Sequence, residues 1–225
     1  MAAYDLEEQE QLSSIKAWWQ QYGNLVTGLA VALAVVAVGS QVWSWYQRSQ
    51  AAQAGAVFAV VEKAVSAKDA KRAREAAGEL VDKFAATAQA GYGALLSAKV
   101  QLDSGDLKTA KSQLAWAADS AKQDEVRDLA RLRLAAVLTD EKAYDEALKQ
   151  LQKEPLAAFA VEFADQRGDI LALQGKKAEA RAAWQGGIDK LGQGDAAKAE
   201  GTAAQREAGY RKLLTMKLES LGDGK

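Results

Sequence analysis

The sequence contains no cysteine and no histidine, and only one proline, Pro155. Without cysteine there is no disulfide framework and no thiolate nucleophile. Without histidine as well, neither the usual zinc site nor an imidazole general base can be built. Any catalysis would fall to carboxylates, lysines, hydroxyls and tyrosines. An excess of charge of either sign is missing too: 29 basic side chains stand against 30 acidic ones, for a net charge of -1. That balance gives no electrostatic pull toward nucleic acid. The scarcity of proline, with abundant Ala, Leu, Lys, Glu and Gln, predicts helix almost throughout, and no run of alternating β-branched residues stands against it. The expected fold class is all-α.

Charge is also missing locally. Between Lys16 and Arg48 lie 31 uncharged residues, centred on NLVTGLAVALAVVAVGSQV at 24–42. A helix needs about 20 apolar residues to cross the hydrocarbon of a bilayer, and it satisfies every backbone group without water. Trp18, Trp19 and Tyr22 precede the run and Trp43, Trp45 and Tyr46 follow it, placing amphipathic rings at both headgroup layers. The leading segment is acidic (Asp5, Glu7, Glu8, Glu10) where a cleaved signal peptide would be basic. The sequence therefore divides into an acidic tail (1–16), a single transmembrane anchor in the lipid bilayer (17–47) and one large domain (48–225). Lys16 on one side, against Arg48 and Lys63 on the other, leans by two residues to one toward a cytoplasmic domain.

The domain repeats itself. Four alanines, Ala76, Ala110, Ala147 and Ala180, are spaced by 34, 37 and 33 residues. Twelve positions before each stands a small residue (Ala64, Ala98, Ala135, Gly168), and four positions after each a bulky one (Leu80, Leu114, Leu151, Trp184). Small residues at two points let a pair of helices cross closely, and the bulky one fills the space beside the crossing. Breaks fall at Ser104-Gly105-Asp106, at 140–143, at Gly175-Lys176 and, less distinctly, at 66–69. A hairpin of this kind cannot bury its apolar face alone, so the units, about 57–87, 91–122, 128–157 and 161–192, must stack into an α-solenoid. GDLKTAKSQL (105–114), AYDEALKQL (143–151) and GKKAEARAAW (175–184) resemble the tetratricopeptide repeat. A last helix over 195–220, with Tyr210, Leu213, Leu214 and Leu218 on one face, is expected to cover the end of the stack.

Little in the sequence carries chemistry. Gly91-Tyr92-Gly93 and Gly192-Gln193-Gly194 lack the lysine and third glycine of a phosphate loop and read as turns. The basic cluster Lys63, Lys68, Lys71, Arg72 and Arg74 is interrupted by Glu62, Asp69 and Glu75 and reads as mixed surface. No catalytic, cofactor or metal residues are assigned. What remains is a binding surface. The register places Phe58, Val61, Val65, Tyr92, Leu95, Lys99, Leu129, Leu132, Glu162, Asp165 and Asp169 on the first helices, lining a groove. Its first three units are mainly apolar and its fourth acidic. The expected ligand is a polypeptide with apolar side chains toward the anchor and a basic feature near Asp165 and Asp169. The alternative at these positions is internal packing.

The acidic tail YDLEEQEQL (4–12), the entry WWQQYGN (18–24), the exit WSWYQRSQ (43–50) and the repeats together resemble the YfgM family, ancillary subunits of the bacterial SecYEG translocon. The resemblance implies a protein of the inner membrane, its N-terminus cytoplasmic and its repeat domain periplasmic, against the charge lean above. It implies partnership with SecYEG and a PpiD-like membrane-anchored periplasmic chaperone. It also implies a role in assisting unfolded or nascent secretory polypeptides as they emerge. A structural adaptor that assembles an envelope complex without touching unfolded clients is the competing expectation.

Overall fold

The computed structural model describes residues 2–191 and 202–222. Within them the chain is helical, with no strand: α1 (Ala2–Ser66), α2 (Ala70–Phe84), α3 (Ala88–Ser104), α4 (Leu107–Ser120), α5 (Asp124–Asp140), α6 (Tyr144–Gln150), α7 (Ala160–Leu173), α8 (Lys177–Lys190) and α9 (Thr202–Ser220). A single 3-10 turn, Ala157–Phe159, leads into α7.

The chain divides into two compact units, 1–50 and 51–225. In the first, Leu25, Leu29, Val31, Leu33, Val35, Val36, Val38 and Val42 are all exposed. A core helix would bury such side chains, whereas one lying in lipid leaves them facing outward. The helix is long and apolar enough to span a membrane. Trp18 packs beside Trp19 and Tyr22 at one end, and Trp43 beside Tyr46 at the other.

In the second unit, residues 51–66 of α1 pair with α2, α3 with α4, α5 with α6 and α7 with α8, giving four hairpins. The crossing residues lie where the repeat places them. Ala64, Ala98, Ala135 and Gly168 are buried, as are Ala76, Ala110, Ala147 and Ala180 and the bulky residues Leu80, Leu114, Leu151 and Trp184. Gly168 shows why the small position must be small: the Trp184 indole lies directly over its Cα, in the volume a Cβ would need. Trp184 Nε1 donates to the Asp165 carbonyl at 3.1 Å.

All four hairpin turns share one hydrogen-bond pattern. The amides of Asp69, Asp106, Ala143 and Lys176 donate to the carbonyls five residues earlier, Ala64, Gln101, Leu138 and Leu171, at 2.8–2.9 Å. This is the Schellman closure, which requires a left-handed residue just before. That place is held by Gly105 (φ 84°) and Gly175 (φ 76°), but also by Lys68 (φ 54°) and Lys142 (φ 63°). A side chain in this region costs about 1–2 kcal/mol. Lys142→Gly is therefore expected to stabilise the domain by about 1 kcal/mol and to raise the melting temperature by about 2–4 °C in a thermal scan. Gly105→Lys should lower it by a similar amount.

Two expectations need correction. Gly91 and Gly93 do not form a turn but sit inside α3. A Cβ on Gly91 would press on Ala121 and Val126 at 3.0 Å, and one on Gly93 would meet Leu80 at 2.5 Å, so these glycines permit α3 to approach its neighbours. The second pair, Gly192 and Gly194, lies outside the described residues. On α9 the inward face is Tyr210, Leu214, Lys217 and Leu218, while Leu213 is exposed, because the stripe follows steps of four and three from Leu214. The 195–201 part of the predicted last helix also falls outside the described residues.

The third hairpin is irregular. Its second helix, α6, has 7 residues where α2, α4 and α8 have 14 or 15. The chain then runs through Pro155, tied down by side chains from neighbouring elements. Asp128 Oδ2 accepts from the Leu156 amide at 2.8 Å, and Arg167 donates to the Leu151 carbonyl. Asp128 Oδ1 also binds Arg131 at 2.8 Å, and Arg131 donates to Ala118 O at the end of α4. Asp128 and Arg131 are both buried, so one ion pair joins three elements.

Candidate functional site

The first helices lie side by side, with α5 beside both α3 and α7. Gln166 of α7 donates to the Leu132 carbonyl of α5 at 3.1 Å, fixing their register. Each helix therefore offers one stripe to a common face. On α3 the accessible stripe is Tyr92, Leu96, Lys99 and Asp103, with Tyr92 46 % exposed. On α5 it includes Leu129 and Leu132, both half-buried. On α1 it comprises Phe58, Glu62 and Val65, and on α7 Glu162, Asp165 and Asp169.

Two of the residues expected to line the groove are elsewhere. Val61 and Leu95 are in the core, at 0 % and 4 % exposure. Val61 packs with Ala76, Ala77 and Leu80, and Leu95 with Leu114, Ala117 and Leu134. Each lies one step of the helix away from the accessible stripe, where Glu62 and Leu96 stand instead. Internal packing is the correct reading for these two. Phe58, Val65, Tyr92, Lys99, Leu129, Leu132, Glu162, Asp165 and Asp169 retain accessible surface.

Between α1 and α3 the face deepens into a cavity of about 230 Å³ lined by Val65, Lys68, Lys99, Val100, Asp103 and Ser104. Toward α7 it turns acidic, but this end is filled. Lys217 of α9 reaches Asp165 Oδ1 at 2.5 Å and Asp169 Oδ1 and Oδ2 at 2.7 and 2.8 Å, with its ammonium 5.9 Å from the centre of the Trp184 ring. The basic feature expected near these carboxylates is thus a residue of the chain itself. Burial pushes the Asp165 carboxyl above its ordinary range and the adjacent Asp169 charge adds to this, against the pull of Lys217. For Lys217 burial acts downward, yet the hydrogen bonds to both carboxylates outweigh it and hold the ammonium above the lysine range. Burial and the charges of Glu162 and Asp165 raise Tyr210. The seat is an anionic patch closed by one cation.

Among the described residues no group of three or more acidic side chains is arranged to hold a metal ion. What the face can do chemically is bind: it offers flat apolar contact from Tyr92, Leu96, Leu129 and Leu132, and cationic contact from Lys68 and Lys99.

These features define a helical-hairpin repeat protein with one helix long and apolar enough to cross a membrane. The tetratricopeptide repeat-like domain family matches residues 16–223, so the match takes in the apolar helix as well as the hairpins. The chain is 30 % identical over 222 residues to the ancillary SecYEG translocon subunit of Neisseria gonorrhoeae, covering 98 % of this chain and 100 % of that one. It is 29 % identical over 185 residues to the subunit of the same name from Escherichia coli, covering 80 % and 87 % of the two chains, and 27 % identical over 180 residues to that of Haemophilus influenzae, again covering 80 % and 87 %. The chain belongs to the family of ancillary SecYEG translocon subunits.

Proposed function

We propose that this protein is a membrane-anchored interaction module of the SecYEG translocon that binds segments of newly translocated polypeptides transiently and without catalysis. Its N-terminus lies in the cytoplasm and its repeat domain in the periplasm, where the domain works beside a PpiD-like membrane-anchored periplasmic chaperone. The observation that carries the reading is the row of accessible apolar side chains on successive first helices: Phe58 and Val65 on α1, Tyr92 and Leu96 on α3, Leu129 and Leu132 on α5. Aromatic and aliphatic side chains kept at a surface are the usual anchors for a polypeptide ligand. The anchor confines the search for a membrane partner to two dimensions and keeps the face at high effective concentration near the exit site. Family membership supports the translocon as that place. While Lys217 fills the acidic end, client binding is assigned to the first three hairpins.

The test is photo-crosslinking in native membranes from a photoreactive residue at Tyr92, Leu129 or Leu132, with a stalled secretory chain in the translocon. Adducts with the nascent chain are expected from all three. Adducts with a single folded partner and none with the nascent chain would instead identify a structural adaptor.

A further inference from the structure

The strongest feature outside the apolar face is the seat that α9 occupies. Glu162, Asp165 and Asp169 lie on the same row of first helices as Tyr92 and Leu132, so the seat continues the proposed binding face into the fourth hairpin. It already holds a ligand: a helix with the pattern Leu214-x-x-Lys217-Leu218. Leu214 is fully buried, its Cδ1 meeting the position of a Cβ on Gly187 at 3.1 Å, among Leu171, Ala180 and Trp184. Lys217 lies between two carboxylates, beside the Trp184 ring.

The attachment of α9 differs from that of the second helix of each hairpin. The hairpin helices are joined by turns of two or three residues with the shared Schellman closure, whereas Leu191 and Thr202 are separated by ten residues. Of the 19 residues of α9, Leu214 is the one that lies in the buried core among those described, against nine buried residues in α3. Beside it, Leu218 and, just past the helix, Leu221 pack half-buried against the same cluster, and the other ties are polar and reach solvent: the Lys217 and Asp169 side chains are 24 % and 44 % exposed, and Arg181 donates to the Gly222 carbonyl at 2.6 Å. Contacts of this kind release more readily than a packed hairpin, since local stability follows buried apolar area.

We infer that α9 is an internal, exchangeable occupant of a binding seat, and that a helical polypeptide segment presenting a lysine or arginine flanked by leucines takes its place. The inference rests on the polypeptide-binding reading above and adds the chemistry of its fourth subsite. Selection comes from the carboxylate pair, which satisfies one cation and repels acids, and from the Trp184 and Gly187 pocket, which accepts one branched aliphatic side chain.

The test uses the full chain in detergent or nanodiscs and, as probe, a labelled synthetic peptide of residues 202–222. Lys217→Glu in the chain sets a third carboxylate against Asp165 and Asp169 and should expel α9 from its seat. The variant is expected to bind the peptide on the order of tenfold tighter than the unmodified chain, whose seat is filled, because two charge-assisted contacts become available in trans. A peptide carrying the same Lys217→Glu change should bind neither. Hydrogen exchange of α5 amides, run in parallel, reports whether the stack remains folded. Failure of a folded variant to bind, or equal binding of both peptides, would overturn the inference. Melting of α5 together with α9 would also overturn it, since α9 would then be an inseparable cap. Because the probe is the chain's own helix, this result is independent of whether nascent chains crosslink to Tyr92, Leu129 and Leu132.

Discussion

Replacing Asp128 by alanine is expected to lower the stability of the repeat domain by about 3–5 kcal/mol, because it leaves a buried guanidinium without its counter-charge. The Asp128 and Arg131 side chains are 5 % and 9 % exposed, so water cannot take over the lost role. The same substitution removes the acceptor of the Leu156 amide and frees the segment that follows the short helix α6. Urea unfolding should show a lower midpoint, with the earliest loss of exchange protection around residues 151–159. Breaking a buried pair and replacing it are different operations. The double variant Asp128→Leu with Arg131→Met, which removes both charges, should recover most of the loss, because the desolvation of two ions is no longer required. An Asp128→Ala variant within about 0.5 kcal/mol of the unmodified protein would show that the pair does not join the hairpins.

The second large effect is expected at the closest crossing of the fourth hairpin. Gly168→Ala places a methyl group in the volume of the Trp184 indole. The ring cannot yield without losing its hydrogen bond to the Asp165 carbonyl and its packing against Leu171, Ala180 and Leu214. Overpacking of this kind costs about 1–3 kcal/mol, although alanine by itself favours helix over glycine by about 1 kcal/mol. Gly168→Leu should exceed that range. Trp184→Ala should cost about 3–5 kcal/mol by opening a cavity, and combining it with Gly168→Ala should give less than the sum, because the second change relieves the first. Strict additivity in this cycle would mean that the two positions do not share the space. Displacing Trp184 also removes one wall of the Lys217 seat, so either single variant should raise hydrogen exchange in α9 before it does so in α5.

Much of the architecture is written in local spacing. Two small residues and one bulky residue, recurring at 33–37 positions, mark the crossings because only one geometry brings helix backbones close at both points, and all twelve residues are buried. The turns are legible at Gly105 and Gly175, where glycine advertises a left-handed backbone. They are muted at Lys68 and Lys142, where the same conformation is imposed on a side chain that tolerates it at a cost. The long apolar helix is legible from its missing charges.

The site was legible only in part. Helical register separates accessible from buried positions by single steps of about 100°, and in α1 and α3 the boundary falls between Val61 and Glu62 and between Leu95 and Leu96. An apolar side chain at such a boundary gives no sign of which way it turns, since Leu95 and Leu96 are chemically the same. Charge patterning marked Asp165 and Asp169 as a seat for a cation, but periodicity within a helix carries no information on which distant lysine fills it. Lys217 is 48 residues from Asp169, and their meeting depends on how α9 packs against α8. Asp128 and Arg131 escaped notice for a related reason. An acid and a base three positions apart on a helix look like an exposed pair, and the neighbours that bury them come from α4 and from the chain after α6.

The account rests on the face of the first helices, rather than that of the second, being where polypeptide is held. In the crosslinking experiment this becomes a comparison of sides within one protein: Tyr92, Leu129 and Leu132 against Ser112 on α4 and Lys149 on α6, both exposed. The account predicts nascent-chain adducts from the first three positions and background from the last two; equal yields from both sets, or adducts only from Ser112 and Lys149, would contradict it.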